Sequence, residues 1–126
     1  MAAELEPVLR DVFEAIDRMD LDAVQSRFAE EVQSVDEISR RWLRGKGQLA
    51  NYMKQLEGAV SDIRTELRDV NEQTWGDAGL VTCWLEQDYT MEGAPQHVSA
   101  PTTCVFRRDG RDWKVALFHS VPITSS

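Results

Sequence analysis

An α+β fold is what this sequence predicts, and three observations predict it. Residues 5–16 carry the apolar stripe of an amphipathic helix. From Ser61 the texture changes to long runs rich in β-branched and aromatic residues. Clusters such as Gly76-Asp77-Ala78-Gly79, Glu92-Gly93-Ala94-Pro95 and Asp109-Gly110 part those runs at hairpin spacing. Helices first and antiparallel strands after is the α+β pattern. At 126 residues the chain is expected to form one domain, able to build a core without metals or disulfides.

The first helix rests on Leu5, Val8, Leu9, Val12, Phe13 and Ile16, with Glu4, Glu6, Arg10, Asp11, Glu14 and Asp17 opposite. Pro7 is acceptable in a first turn, where its missing N–H has no intrahelical acceptor. Asp20 reads as the N-cap of a second helix, with Leu21, Val24 and Phe28 apolar and Glu30-Glu31 at its end. A short strand is expected over Val32 to Ile38. After the break at Gly45 to Gly47, a third helix presents Leu49, Tyr52, Met53 and Leu56, with Gly58 as its C-cap. Four strands follow as an antiparallel meander: Ile63 to Trp75, Leu80 to Met91, His97 to Arg107 and Trp113 to Ile123.

Composition narrows the function classes. A formal charge of −8 and a pI near 4.7 repel phosphate backbones and anionic lipid, so neither nucleic acid nor a membrane surface is an expected partner. The acidic start, Met-Ala-Ala-Glu-Leu-Glu-Pro, is unlike a signal peptide, and no run is long and apolar enough for a bilayer. Cys83 and Cys104 fall inside expected strands and read as small buried hydrophobes in a reducing cytoplasm. No Cys-x-x-Cys or His-x-x-x-His spacing points to a metal, and no nucleotide fingerprint points to a cofactor.

Several strings resemble one family. Met19-Asp20-Leu21-Asp22-Ala23-Val24 is similar to its Gly-Asp-Leu-Asp-Ala helix junction, and Phe28-Ala29-Glu30-Glu31-Val32 to its Phe-Ala-Asp-Asp-Ala. Gly45-Lys46-Gly47 resembles its Gly-Lys-Glu; Asp109-Gly110 with Trp113-Lys114-Val115 and His119-Ser120 resembles its Asp-Gly-x-Trp-Arg-Ile ending. The family is the SnoaL-like branch, of polyketide cyclase and ketosteroid isomerase type, of the nuclear transport factor 2-like superfamily. The resemblance covers nearly the whole chain, as a single SnoaL-like domain over 1–126. It implies a cystatin-like cone: three N-terminal helices packed on a curved antiparallel sheet, with a pocket at the open end.

Within that frame Asp36 falls where ketosteroid isomerases of the superfamily keep their general base. The resemblance also says what is missing: Val12 stands at the oxyanion-hole tyrosine, and Thr103 at the second, protonated aspartate. One threonine hydroxyl does not replace two strong donors to a developing enolate, so steroid isomerisation is not expected. Asp36 as base and His119 as acid are the candidate catalytic residues. Phe13, Ile16, Trp42, Tyr52, His97, Thr103, Trp113 and Leu117 are the candidate substrate-pocket residues.

The facing of the last two strands depends on one turn. A three-residue loop, Arg108-Asp109-Gly110, sets Val105 opposite Trp113, Thr103 opposite Val115 and Ser99 opposite His119. A two-residue loop, Asp109-Gly110, pairs Phe106 with Trp113 instead. The resemblance favours the first, which puts Thr103 and His119 on the concave side. Cys104, Phe106, Ala116 and Phe118 would then form a bare convex face, and a homodimer through it is expected. The basic island Arg40-Arg41-Trp42-Leu43-Arg44 is expected near the pocket mouth, as a receiver of an acidic ligand or as a solvated loop.

Three functions remain open at this point. One is an acid–base lyase or isomerase acting on an apolar or ring-shaped metabolite. Another is a non-catalytic ligand-binding domain. The third is a homo-oligomeric assembly domain, which the fold also hosts.

Overall fold

The computed structural model describes residues 4–123. Its elements run α1 (Glu6–Asp17), α2 (Leu21–Ser26), β1 (Phe28–Asp36), β2 (Leu43–Arg44), α3 (Gly45–Ala59), β3 (Val60–Trp75), β4 (Ala78–Met91), β5 (Ala94–Asp109) and β6 (Asp112–Ser120). One six-stranded sheet has the order β2-β1-β6-β5-β4-β3. β3 to β6 form the expected antiparallel meander. β1 joins β6 in parallel, and β2 pairs antiparallel with β1 at the edge. The architecture is α+β, although β1 and β2 precede α3, so the helices do not all come first.

Local chemistry explains the boundaries. The Asp20 carboxylate accepts from the Ala23 N–H at 3.3 Å, capping α2. That helix stops at Ser26, and Phe28 already lies in β1, four residues ahead of the expected strand. A run of alternating and paired apolar residues, Phe28, Ala29 and Val32, wins the segment for the sheet because it buries all three. Gly58 does not cap α3: the helix continues through Ala59 and passes directly into β3 at extended Val60.

The core lies between α1 and the inner sheet face. Leu5, Leu9, Val12 and Phe13 pack on Val81, Cys104, Phe106 and Val115. Two bulges in β3, between Ser61 and Arg64 and between Arg68 and Asn71, bend the strand around α1. Asp62 and Asp69 sit there with φ of 54°, a left-handed conformation that Asp tolerates better than most residues.

β3 also holds the start of α1. The Glu72 carboxylate accepts from the backbone N–H groups of Glu4 (3.1 Å), Leu5 (3.1 and 3.3 Å) and Glu6 (2.9 Å). These are the orphan donors of a helix N-terminus, and the helix has no side-chain cap of its own. Desolvation opposes the charge on Glu72, but the three amides outweigh it and hold the carboxyl below the usual glutamate range. The linked stability is therefore present above the unfolded-state value near 4.5 and is lost as pH falls through the lower folded-state value. Glu72→Gln is expected to cost about 0.5–2 kcal/mol at pH 7. The difference between wild type and variant should shrink in urea melts repeated below pH 4.5; a constant difference across that range would contradict the capping role.

Candidate ligand cavity

Asp36 closes β1 beside Ser120 of β6 and turns its side chain to the inner face. Its Oδ1 accepts from the N–H groups of Ile38 (3.0 Å) and Ser39 (2.7 Å), a turn in which an Asp side chain stands in for backbone. The Asp36 N–H donates in return to Ser39 Oγ at 3.0 Å. From α3 the Tyr52 hydroxyl donates to the same carboxylate, 2.8 Å from Oδ1 and 3.0 Å from Oδ2. Oδ1 is thus crowded with three donors, while Oδ2 has only a share of one. Burial first, and then the Asp36 charge and hydrogen bond, push the Tyr52 ionisation far above that of a free tyrosine. The phenol stays a donor.

A second carboxylate–tyrosine pair adjoins the first. The Tyr89 hydroxyl of β4 donates to Glu37 in a short hydrogen bond. Tyr89 is likewise held in its phenol form, by burial and by the Glu37 and Asp36 carboxylates. Both pairs open on a cavity of about 80 Å³ at the end of the cone. Its walls are Phe13 and Ile16 of α1, Met53 and Leu56 of α3, Leu85 and Val98 of the sheet, and Phe118. Phe13 and Phe118 meet edge to face with centroids 5.8 Å apart. Four of its polar residues adjoin one another, Asp36 beside Ser120 and Glu37 bonded to Tyr89, while Gln87 donates to Thr65 Oγ1 at 3.1 Å. Nearby, burial raises the Asp17 carboxyl against the opposing pull of Thr65, whose hydroxyl and N–H donate to it at 2.6 and 3.2 Å. Among the described residues no three His, Cys, Asp or Glu side chains gather as a metal site requires.

The candidate residues separate into two groups. Asp36, Phe13 and Ile16 line this cavity, and Tyr52 reaches it through Asp36 while lining a shallow groove alongside with Ile38, Arg41 and Met91. His119, Thr103 and Leu117 do not line it; they lie on the outer sheet face. The reason is register. The turn is Gly110-Arg111, with Asp109 opposite Asp112, so Trp113 pairs with Arg108 rather than with Val105 or Phe106, and Val115 pairs with Phe106 rather than with Thr103. Ala116 is then the extra residue of a bulge, and beyond it Leu117 pairs with Val105 and His119 with Thr103. Every side chain after the bulge changes face: Phe118 and Ser120 turn inward, and His119 turns out to stack near Trp42 at 6.0 Å.

The same shift corrects the expected convex face. Cys104 and Phe106 are fully buried against the helices, and Phe118 walls the cavity. Trp113 faces inward, yet in the core at the opposite end of β6, under the Arg108 guanidinium at 4.6 Å. Trp42 is 41% exposed at the sheet edge. His97 is exposed on the outer face, its Nδ1 2.7 Å from Asp88 and its Nε2 3.3 Å from Glu86, and these partners raise its pKa. Glu37, Gln87 and Tyr89 are the polar cavity residues that sequence reasoning passed over. For Gln87 and Tyr89 the signal was the alternation Leu85, Gln87, Tyr89, which sets three side chains of β4 on one face.

Comparison with known proteins bears on the fold. The model of a family described as SnoaL-like domain matches residues 5–124. A ketosteroid isomerase-like protein from Erwinia carotovora atroseptica SCRI1043 superposes with a TM-score of 0.81 at 21% identity, covering 96% of this chain and 95% of the other. An NTF2-like protein of unknown function from Pseudomonas putida KT2440 gives 0.83 at 18% identity, covering 96% and 85%. The CaMKII hub of S. rosetta gives 0.82 at 19% identity, covering 98% and 100%. A search of curated proteins finds no match. At these identities the structural likeness establishes the cystatin-like, NTF2-like fold and no activity.

Proposed function

Because this chain belongs to the SnoaL-like domain family, whose fold keeps an open-ended cone, we propose that it binds a small apolar or ring-shaped molecule in the cavity, with Asp36 as the acceptor that orients it. The observation that carries this reading is Asp36 Oδ2, a lightly used carboxylate oxygen at the polar end of an otherwise apolar cavity. An acid–base pair of Asp36 and His119 has no support, since His119 lies across the sheet from the cavity. A one-base proton shift is the chemistry that fits. Oδ2 takes a proton from a carbon of the bound molecule, and the electron pair moves into an adjacent unsaturated group. The carboxyl then returns the proton at a second carbon. Tyr52 positions the carboxylate throughout.

Phenol and toluene test the binding reading, because they share a ring and differ in one strong donor. Phenol is expected to shift the amide resonances of Phe13, Ile16 and Phe118 and to bind more tightly than toluene. In Asp36→Asn the amide keeps Oδ1 on the Ile38 and Ser39 N–H groups and turns a donor toward the cavity, so phenol should weaken by about tenfold, the worth of one charge-assisted hydrogen bond. No change in phenol affinity would remove Asp36 from the site.

A second reading, self-assembly, is favoured by the outer face, where Trp84, Val105 and Leu117 stand partly exposed on the adjoining strands β4, β5 and β6, with Trp42 41% exposed just before β2. A CaMKII hub shares the fold, and two such sheets packed together would cover those side chains. Leu117→Glu is expected to turn a dimer into a monomer in sedimentation velocity. A wild-type chain that sediments as a monomer at high micromolar concentration ends this reading.

A further inference from the structure

We propose that the molecule this cavity takes is an apolar amine, its ammonium seated between Asp36 and Glu37 and its hydrocarbon body against Phe13 and Phe118. The inference rests on the binding reading above and adds the charge of the ligand. Asp36 and Glu37 both line the cavity, and no Arg, Lys or His does. Neither carboxylate is in an ion pair among the described residues, whereas Glu6, Asp11, Glu31 and Glu86 each have a guanidinium. What reaches them inside the protein is neutral: the Tyr52 phenol and two backbone amides at Asp36, the Tyr89 phenol at Glu37.

Neutral donors stabilise a carboxylate but leave its charge uncompensated, and two neighbouring like charges beside an apolar space favour any cation that enters. Burial first, and then the neighbouring carboxylates, keep the protons on Tyr52 and Tyr89, so both tyrosines serve this site as neutral donors. Among the described residues no third carboxylate, histidine or cysteine joins these two, as a metal cage built by protein side chains would use. An ammonium can donate to Oδ2 and to the Glu37 carboxylate together, with the Tyr89 ring on the same cavity wall. The acidic chain, at −8, draws cations toward it and repels anionic metabolites. Two cations stand close by without lining the cavity: Arg41 lines the adjoining groove, and Arg40 donates its Nε to the Glu37 backbone carbonyl at 3.0 Å.

The test is an NMR titration of the full chain, labelled with 15N, against four ring compounds at neutral pH: benzylamine, benzyl alcohol, toluene and phenylacetate. Benzylamine is expected to shift the Phe13, Ile16 and Phe118 amides and to bind about tenfold or more tightly than benzyl alcohol. The amine-to-alcohol ratio should fall toward one in Glu37→Gln, which keeps an acceptor for Tyr89, and in Asp36→Asn, which keeps the turn. A wild-type chain that binds benzyl alcohol as well as benzylamine overturns the amine assignment and leaves the cavity reading intact. Phenylacetate binding best overturns it in favour of an anion held at Arg41. If no ring compound shifts these amides, the cavity reading itself fails, and the amine assignment with it.

Discussion

Phe106→Ala is expected to cost about 3–5 kcal/mol of folding stability, the usual range for emptying a buried phenylalanine site. Phe106 is fully buried and is the largest side chain in the core to be so. It sits on the inner face, opposite Val115 on β6 and Gly79 on β4. α1 covers it, β4 holds it through an unbroken ladder and β6 pairs with it on the other side, so little can collapse into the space it would leave. Urea denaturation of the variant reads the loss as a lower midpoint at an unchanged slope. Had Phe106 faced solvent or a second subunit, as the expected register had it, the isolated chain would lose well under 1 kcal/mol. A small loss in a monomeric sample would therefore refute the observed register.

Gly79→Ala is expected to cost about 1–3 kcal/mol, because it overpacks the same layer. A Cβ built at Gly79 falls 2.5 Å from Leu5 Cδ1 and 3.4 Å from Cδ2. Leu5 is fully buried where α1 begins, so its side chain has little free space to move into. The helix start is itself pinned by Glu72, which prevents α1 from riding outward to relieve the contact. The collision is with a side chain alone, so a double-mutant cycle isolates it. Leu5→Val should recover part of the Gly79→Ala loss, with a coupling energy of about 0.5–3 kcal/mol. Strict additivity would mean that the glycine is there for some reason other than the close approach of α1.

Together these two positions show why the sheet and α1 form one unit, and the cavity lies where that packing stops. Near Phe106, Val81 and Leu5 the space between helix and sheet is filled. Toward Asp36 and Tyr89 a cavity remains, lined by Phe13, Phe118 and Leu85 together with Asp36, Glu37 and Tyr89. Cys83 lies in the filled part, its thiol pushed up to about 11 by burial, so it behaves as a small apolar residue.

What the sequence by itself determined is everything set by local periodicity and turn chemistry. The stripe from Leu5 to Ile16, the Asp20 cap, the Leu49-Tyr52-Met53 face of α3 and the meander order all lie within a few residues of one another along the chain, so their physics is present in short windows. Asp36 at the mouth of a cone came from resemblance to a family, and Phe13 and Ile16 on its wall came from the helical stripe. What only the tertiary structure decided is which face each late strand presents. A strand alternates with period two, so one residue gained or lost in a turn or bulge inverts every side chain beyond it. The turn formed at Gly110-Arg111 in place of the favoured Arg108-Asp109-Gly110 loop, and Ala116 bulged out of the ladder. Those two events carried Thr103, Leu117 and His119 to the outer face and brought Cys104, Phe106 and Phe118 inside. The choice was made by burial: facing Phe106 and Cys104 toward α1 removes far more apolar surface from water than facing Thr103 there would. That sum runs over contacts between residues up to a hundred positions apart, and no local window of sequence contains it.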